Sequence, residues 1–587
     1  MKEQPLAAST PVGMIRPERE FTLRAVIVAL LVAVVIGGSY PYVVLKLGFG
    51  PNIAVVSAFF GWMALAALSR GVSLKRESNL AQAAGTIAGQ TAFLCTVLAA
   101  FDMLTEDPTL GVNLSLTPLQ TFLWLTTAGM LGVLLAVPLR RHFIIDEKLP
   151  FVDGFAAGET LIVLDERGAT GKRAARAMFS GLIVSVILGV LIMRKVFVWL
   201  KDDIALHLNK FSEVTGVGIS LSLLNLGSGM IIGLRICANM AVGMSLSWII
   251  APVVLAHFGI IPAGAKKGDI LLWVMWPATG MMVAGGLTAL FLKWNILVKT
   301  FKQFSGAHVE TGDFPMRWVV IGSILSAIAL VLVQHYSLGL PMWQTVVAIL
   351  LTLPLMLVGL RVLGETNWGP ISALSNLMQG VFGVIAPGSI QANMQASAVT
   401  GSIVAESEGL MQSYKTGDMV GSTPKYITYI QLLAVPVGAV AVSFAYPLLK
   451  KAYGVGGEHG LSSPISQKWV GFAKLLSKGF SVLHPSAIWA LGIAVVLGIT
   501  FSVLEQKSKS RDWIPSPTGI GIGMLIPASA VVTMVIGAFI EFVARKRDPQ
   551  GSNTWVLPLA SGFIAGEALV AIILPILIAA GVIAVLK

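Results

Sequence analysis

The sequence has 587 residues, of which 55% are hydrophobic and 12% are charged, and its mean hydropathy is +0.82. Soluble domains carry about 25% charged residues, so a soluble globular protein is excluded. The formal net charge of +12 comes from Lys and Arg in short loops between apolar runs. That is the positive-inside pattern of membrane proteins, and nucleic-acid binding is not expected. Cys95 and Cys237 both lie in apolar runs, which indicates packing residues rather than a disulfide or a metal pair.

Apolar runs of about 20 residues recur along the chain, each long enough to cross a bilayer core of roughly 30 Å as a helix. They predict an all-α polytopic integral membrane protein with about sixteen membrane segments, including re-entrant or broken helices. Residues 1–24 are polar and basic near their end, and an apolar run follows without a small-residue cleavage site. We therefore expect a cytosolic N-terminal tail and a retained first helix.

The stretch KLPFVDGFAAGETLIVL, residues 148–164, contains two carboxylates, Asp153 and Glu159, in an otherwise apolar segment. Its apolar part, about 14 residues, is too short for an ordinary membrane helix. Basic residues flank it on both sides, so the positive-inside rule places both of its ends on the cytosolic face. The segment is predicted to be re-entrant, and such a segment must be buried in protein or line a wet cavity.

Two later stretches indicate interrupted helices. Residues 218–256 predict either one broken helix or two short ones. The apolar stretch after Trp513 has Pro527 in its middle, and a proline inside a helix removes a hydrogen bond and breaks the helix. A hairpin of two half-helices is the expectation there.

Three short motifs recur in the same order in the two halves of the chain. They are NLAQAAGTIAG and ANMQASAVTGS, GVGISLSLL and GIGIGMLIP, and TGMMVAGGLTAL and SGFIAGEALVAI. Their order favours an internal two-fold repeat, with a first membrane repeat at residues 25–305 and a second at 316–587. Many transporters have this plan, and their substrate sites lie between the repeats near the bilayer midplane.

Polar residues inside the apolar runs are candidates for function, because buried polar groups in a membrane usually face the bundle interior or a wet cavity. Glutamine and serine often do no more than bond neighbouring helices, whereas buried acids have fewer structural explanations. The acids selected for testing are Asp153, Glu159, Glu406, Glu408 and Glu567.

Motifs of common enzymes are absent from the sequence: it has no H-E-x-x-H, Walker A or G-x-S-x-G motif, and no cofactor is expected. The stretch GIGIGM lacks the strand–turn–helix context of a dinucleotide site, so helix packing is the better interpretation. Without a nucleotide site, transport would depend on an ion gradient or be passive.

Seven stretches in chain order resemble landmarks of the oligopeptide transporter family, from residue 40 to about residue 570. They include RESNLAQAAGTIAG, LPFVDGFAAGETL, GETNWGPISAL, MQSYKTGDMVGSTPKY and PLASGFIAGEAL. The resemblance implies a secondary transporter of about sixteen helices that moves small peptides or metal chelates of peptide-like ligands, usually with protons. The N-P-G and K-I-P-P-R motifs of the fungal and plant peptide branch are missing. The chain is therefore more similar to the prokaryotic and yellow-stripe-like branch, which leaves peptides and metal chelates open as substrates.

The leading hypothesis is a proton-coupled secondary transporter of oligopeptides or peptide-like metal chelates in a bacterial inner membrane. A passive channel and an intramembrane enzyme are the alternatives, and homo-oligomerisation is left open. The candidate substrate-binding residues are Lys46, Asn79, Gln82, Asn367, Gln395 and Lys415. The candidate proton-coupling residues are Asp153, Glu159, Glu406 and Glu567.

Within the proton-coupling set, Glu159 is preferred. It lies deeper in its apolar run than Asp153, which can also cap the short helix that follows it. Glu567 is the rival. Gln82 and Gln395, from the repeated Q-A-small-small motifs, are expected to face one central cavity.

Overall fold

The structure is a computed structural model of the chain. It describes the following residues: 20–47, 53–68, 74–165, 169–193, 203–206, 211–262, 265, 267–292, 314–366, 369–456, 460–479, 484–507 and 514–579.

The described part of the N-terminal half is almost entirely helical. Its elements are α1 (Leu23–Leu47), α2 (Ile53–Leu68), α3 (Lys75–Phe93), α4 (Cys95–Thr105), α5 (Pro118–Ala136), a π-helical turn (Arg141–Asp146), α6 (Val152–Asp165), α7 (Ala169–Met193), β1 (Asp203–Ala205), α8 (Ser212–Thr215), β2 (Gly218–Ser220), α9 (Leu223–Ile232), α10 (Leu234–Met244), a second π-helical turn (Ser245–Ile250), α11 (Ala251–His257) and α12 (Lys267–Phe291). Strands β1 and β2 pair antiparallel, with Asp203 opposite Ser220.

The C-terminal half consists of helices in its described part. They are α13 (Met316–Leu338), α14 (Met342–Thr366), α15 (Ile371–Ile385), α16 (Ile390–Val420), α17 (Pro424–Tyr453), α18 (Pro464–Lys478), α19 (Pro485–Lys507), α20 (Pro517–Leu525), α21 (Ala528–Arg547), α22 (Pro549–Gly551), a π-helical turn (Ser552–Val556) and α23 (Leu557–Ala579).

The expected class of fold, an all-α polytopic membrane protein, is confirmed. Twelve helical stretches within the described ranges are long and apolar enough to cross a membrane, and α2, α9 and α15 are shorter apolar helices. With α6 and the polar α16 in addition, this inventory is compatible with about sixteen membrane segments.

The helices pack into two groups, and each group takes helices from both halves of the sequence. In the first group α1–α6 pack with α13–α18, with α3 and α5 against α16 and α17. In the second group α7 and α9–α12 pack with α19–α21 and α23. Contacts of α1 with α23, and of α12 with α15 and α18, join the groups. A space between the groups is therefore bounded by both halves of the chain.

Within the second group the same packing occurs twice. Helix α7 lies along α23 as α12 lies along α19, and α9 packs on α21 as α10 packs on α20. A Cβ added to Gly229 of α9 would overlap with the carbonyl oxygen of Met534, and one added to Gly523 of α20 would overlap with that of Met240. The two glycines and the two methionines are separated by the same number of residues. These crossings depend on glycine, which lets helix backbones approach closely.

We predict that Gly229→Ala and Gly523→Ala each destabilise the folded protein. The added methyl group would meet backbone rather than a side chain that can turn away, and overpacking of this kind costs about 1–3 kcal/mol. The measurement is the melting temperature in detergent, with Gly492→Ala in α19 as the control, because an added Cβ there meets nothing within 4 Å. Equal melting temperatures for all three variants would contradict the close-packing account.

Two of the short helices end where the sequence analysis expects a break. Helix α9 stops before Gly233, whose φ of 88° is in a region that glycine adopts readily, and α10 follows as a separate helix. Pro527 separates α20 from α21, as expected. Two half-helices are predicted around Pro527, and the prediction is wrong for α21, the helix that follows the proline. Helix α20 has nine residues, but α21 has 20, because its apolar run continues without another breaker.

Helix α6 is the segment predicted to be re-entrant. It has 14 residues, which span about 21 Å at 1.5 Å per residue and fall short of a bilayer core. The K-T-G segment of α16 anchors it: the Thr416 hydroxyl donates to the carbonyl oxygen of Gly154 at 2.8 Å. The Gly154 N–H in turn donates to Oε1 of Gln412 at 2.6 Å. These bonds hold the start of α6 inside the protein.

Re-entrance of α6 predicts that the chain enters and leaves on one face of the membrane. Single cysteines at Arg141, before α6, and at Arg173, in the first turns of α7, should react with a membrane-impermeant maleimide from the same side. The comparison is between sealed right-side-out and inside-out vesicles. Labelling of the two positions from opposite sides would show that residues 148–164 cross the membrane.

Candidate functional site

A cavity of about 370 Å³ lies between the two helix groups and is called the central cavity here. Its walls come from α1, α2, α3, α6, α14, α15, α16 and α18 of the first group and from α12 and α20 of the second. Most of its lining is apolar, and the polar groups are few and spaced apart. Binding sites for small molecules have this volume and composition.

The acidic groups of the central cavity are Asp153 on α6 and Glu408 on α16. Glu408 is buried, and its Oε1 has no hydrogen-bond partner. Its carboxylate lies against Gly369, where any side chain would overlap with it. The charges of Asp153 and Glu408 interact. Two carboxylates that face one cavity repel each other when both are ionised, which favours uptake of a proton or another cation.

The basic group of the cavity is Lys468 on α18, whose side chain is 5% exposed. Its ammonium donates to the hydroxyl of Ser372. No carboxylate among the residues that the structure describes pairs with it. The far end of α18 is fixed by Lys474, which donates to Asp107 at 2.6 Å. Burial raises the pKa of Asp107, but hydrogen bonds from Lys474 and Thr109 outweigh burial and lower it to about 2.

The remaining polar lining consists of amides and hydroxyls. Thr86 and Gln90 follow each other on one face of α3, four residues apart. Gln412 lies one helical turn after Glu408 on α16, and Thr518 is in the first turn of α20. The cavity thus combines two acids, one buried ammonium and several neutral donors and acceptors. This arrangement can bind a small ligand that carries both charges.

Of the four amides proposed from the sequence, the three within the described residues do not line the central cavity. Gln82 donates to the hydroxyl of Thr86 at 2.8 Å, and Gln395 donates to Oε1 of Gln334 on α13. Asn79 is buried, and neither of its amide atoms has a hydrogen-bond partner. The expectation that Gln82 and Gln395 face one central cavity is therefore not met. The polar residues of α3 that reach the cavity are Thr86 and Gln90, one and two helical turns after Gln82.

Two other candidates from the sequence are Lys415 and Asn367. Lys415 on α16 is partly buried and does not line the central cavity. Asn367 lies outside the described residues. The motifs around both still have local roles, since Thr416 anchors α6 and the carbonyl oxygen of Gly364 accepts from the N–H of Phe151, just before α6.

The preference for Glu159 as the more buried acid of α6 is corrected. Glu159 is exposed, whereas Asp153 lines the cavity. The two residues are six positions apart, which is about 240° around a helix, so they cannot share a face. Glu406 is buried and accepts from the Thr91 hydroxyl at 2.7 Å. It faces α3 and α5 rather than the cavity.

A second cavity, of about 280 Å³, contains the two remaining candidates. Lys46 on α1 and Glu567 on α23 form an ion pair there, with Nζ and Oε1 2.8 Å apart. Glu567 also accepts from the Ser222 hydroxyl at 2.8 Å and from the N–H of Leu224 at 2.9 Å. The residue proposed to bind substrate and the residue proposed to carry a proton are thus partners in one ion pair that joins the two helix groups.

Sequence reasoning missed Lys468, Gln412, Ser372 and Thr518. Lys468 lies in the stretch SSPISQKWVG, where basic residues were weighed only as markers of membrane orientation. One usable signal existed, because a lysine near the start of a helix with a strong apolar face is unusual at membrane depth. Nothing local marks Thr518 or Ser372, which become notable only through what the fold places opposite them.

The fold and the cavity define a class of protein: a polytopic membrane protein with a cavity of small-molecule size between two helix groups. Residues 20–578 match the family described as OPT oligopeptide transporter protein. The chain belongs to this family. It is an integral membrane transporter of small molecules, not an enzyme.

Three relatives indicate the range of the family. The chain is 23% identical to the Arabidopsis thaliana metal-nicotianamine transporter YSL2, over 94% of this chain and 92% of the relative. It is 22% identical to the Zea mays iron-phytosiderophore transporter yellow stripe 1, over 94% and 89%. It is also 23% identical, over 84% and 86%, to a Saccharomyces cerevisiae protein whose name assigns it to oligopeptide transport only provisionally.

The Lys46–Glu567 pair is predicted to stabilise the contact between the helix groups. Lys46→Met or Glu567→Gln alone should lower the melting temperature, because each leaves a largely buried partner uncompensated, at a cost on the order of 3 kcal/mol. The double variant should recover part of the loss. Single variants that keep full stability but lose transport would instead support the substrate and proton roles proposed from the sequence.

Proposed function

We propose that the protein is a proton-coupled secondary transporter of small oligopeptides or peptide-like metal chelates, with the central cavity as its substrate site. The observation that carries the proposal is the placement of Asp153, Glu408 and Lys468 around one cavity between the helix groups. Charged groups at membrane depth are costly, and they mark substrate and ion pathways.

The substrate class is supported by the size and polarity of the cavity together with the relatives. A volume of about 370 Å³ is near the lower end of the range for small-molecule sites, which is roughly 300–1,000 Å³. Relatives are named for metal-nicotianamine and iron-phytosiderophore transport and, provisionally, for oligopeptide transport. Both are small polar ligands, and the lining offers several hydrogen-bonding groups for either.

The transport cycle that we propose is alternating access between the two helix groups, each of which contains helices from both proposed repeats, at residues 25–305 and 316–587. The reciprocal glycine crossings in the second helix group and the position of the cavity between the groups support this plan. Rocking of one group against the other would expose the cavity to each side in turn. The basic residues around the first two spans support a cytosolic N-terminus, and a bacterial inner membrane is the proposed location.

Asp153 and Glu408 are the proposed proton-coupling pair. Both line the substrate site, so a change in their protonation acts directly on a bound ligand. The proton-coupling hypothesis for Glu159, Glu406 and Glu567 has weaker support, because none of these three lines the central cavity. Glu159 remains a useful comparison because it lies on the same short helix as Asp153.

The test uses purified protein in proteoliposomes with an imposed pH gradient, acidic outside. The substrates are labelled di-, tri- and tetrapeptides and a metal–nicotianamine complex. We expect accumulation of at least one of them above its equilibrium level, which a passive channel would not produce. Dissipation of the pH gradient should leave only equilibration.

Asp153→Asn and Glu408→Gln should lose pH-driven accumulation while keeping exchange between equal pools of substrate, because each mimics a protonated acid. The matched control is Asp418→Asn, on α16 like Glu408 but exposed. A Glu159→Gln variant that loses pH-driven accumulation, with both cavity variants normal, would return the coupling role to Glu159. Equilibration without accumulation by the wild type would favour the channel.

A further inference from the structure

The second cavity shows how this fold holds a carboxylate at the start of a short helix. Ser222 caps α9 by accepting from the N–H of Asn225. The N–H of Leu224, which has no partner within the helix, donates to the Glu567 carboxylate at 2.9 Å. Lys46 supplies the opposite charge at 2.8 Å. A serine-capped helix start with a lysine beside it is a favourable environment for an anion.

Helix α20 is built like α9. Ser516 caps it by accepting from the N–H of Gly519, and both helices contain the sequence G-x-G-M. The correspondence places Ser516 at the position of Ser222 and Thr518 at the position of Leu224. Both helices contact their neighbours in the same register. A Cβ on Gly227 of α9 would lie 2.6 Å from the carbonyl oxygen of Ala560, and one on Gly521 of α20 would lie 3.2 Å from that of Ala278.

The same register decides which residue stands opposite the start of α20. The motifs TGMMVAGGLTAL in α12 and SGFIAGEALVAI in α23 align Ala278 with Ala560 and Gly285 with Glu567. At the position where the second cavity has the carboxylate of Glu567, α12 therefore has a glycine. A side chain at Gly285 would overlap with Pro517, so this position cannot supply a carboxylate without moving α20.

The start of α20 is consequently open to the central cavity. Thr518 lines that cavity, and no acceptor among the described residues takes its N–H. Lys468 lines the same cavity, is 5% exposed and has only the Ser372 hydroxyl as partner within the described ranges. Helix α18, which carries Lys468, also contacts α20. The central cavity thus has a helix start and a buried ammonium. Its carboxylates, Asp153 and Glu408, come from α6 and α16, and the position that corresponds to Glu567 has glycine instead.

We propose that a carboxylate of the transported ligand binds at the start of α20, accepting from the Thr518 N–H and pairing with Lys468. The ligand supplies the group that Glu567 supplies in the second cavity. The identity of the ligand in this inference rests on the proposed function. The anion-binding character of the site does not. A half-helix start that faces a substrate carboxylate at membrane depth is a known solution in transporters.

The first experiment tests the site without a substrate. Thr518→Cys is made in a Cys95→Ala, Cys237→Ala background, and its reaction rates with 2-carboxyethyl and 2-aminoethyl methanethiosulfonate are compared after normalisation to a free thiol. The carboxylate reagent should react about ten-fold faster than the ammonium reagent, because Lys468 and the helix start attract it. Adding Lys468→Met should lower that ratio about ten-fold.

The controls separate a local charge effect from a change of fold. Lys478→Met removes an exposed lysine from the same helix that does not line the cavity, and it should leave the ratio unchanged. Lys468→Arg should preserve the ratio, and Lys468→Gln replaces the methionine variant if that variant fails to fold. A ratio near one in the parent, or one that Lys468→Met does not change, would overturn the inference whatever the substrate is.

The second experiment uses a ligand. Trialanine should protect the introduced cysteine from the carboxylate reagent, and trialanine amide should not, since it lacks the carboxylate. Equal protection by the acid and the amide would overturn the inference. Absence of protection by either peptide, with the reagent ratio as expected, would count against peptides as substrates in the proposed function and leave the anion site standing.

Discussion

The start of a short helix inside a membrane protein must find a partner for its free N–H groups, and this requirement shapes both cavities. There is no bulk water at membrane depth to satisfy them. Helices α9 and α20 both begin at a cavity, where Ser222 and Ser516 cap them, and Gly233 and Pro527 limit their length. Each cap satisfies one N–H and leaves another for a group from elsewhere. The two cavities differ in the group that accepts from this second N–H, which in the second cavity is the Glu567 carboxylate.

In the second cavity the protein satisfies its own helix. Glu567 arrives from α23 in the second helix group, and Lys46 arrives from α1 in the first. The resulting ion pair joins the groups. In the central cavity the first helix group contributes Lys468, Asp153 and Glu408, whereas α12 contributes glycine in place of a carboxylate. The charges of the second cavity are thus paired within the protein, whereas the central cavity has charged groups with which a ligand can pair.

The contact between the groups also explains why a stable scaffold can coexist with movement. Within the second group, backbone meets backbone at Gly229, Gly243, Gly523 and Gly537, and such crossings are rigid because no side chain can rearrange. Between the groups, the contacts are fewer. They include the Lys46–Glu567 ion pair and close contacts of small residues such as Gly286 and Ala373. In the proposed cycle, a change of charge in the central cavity, or breakage of the Lys46–Glu567 pair, would act on this boundary. Small shifts of rigid packed units past one another are a common form of conformational change.

The sequence by itself determined the class of fold, because composition and the length of apolar runs depend on the solvent around the chain and not on which helices meet. It also determined the break at Pro527 and the shortness of α6, which are local backbone properties. It identified Asp153 and Glu408 as acids to test but preferred Glu159, since depth along an apolar run says nothing about the face of the helix that meets the cavity. It took Lys46 and Glu567, which are separated by almost the whole chain, as independent groups.

Only the tertiary structure decided the pairing of charges. Thr518 and Ser372 have no distinguishing sequence pattern. Their importance, and that of Lys468, comes from the crossing of the two helix groups, which brings α18, α20 and the start of α15 to one cavity. The partner of a buried charge is a non-local property, because the free energy of burying it depends on which atoms lie within a few ångströms after folding. Gly285 is the clearest case. Its importance is visible only by comparison with Glu567, which occupies the corresponding position in the other half. Glu567 contacts the start of α9, and Gly285 lies against the start of α20.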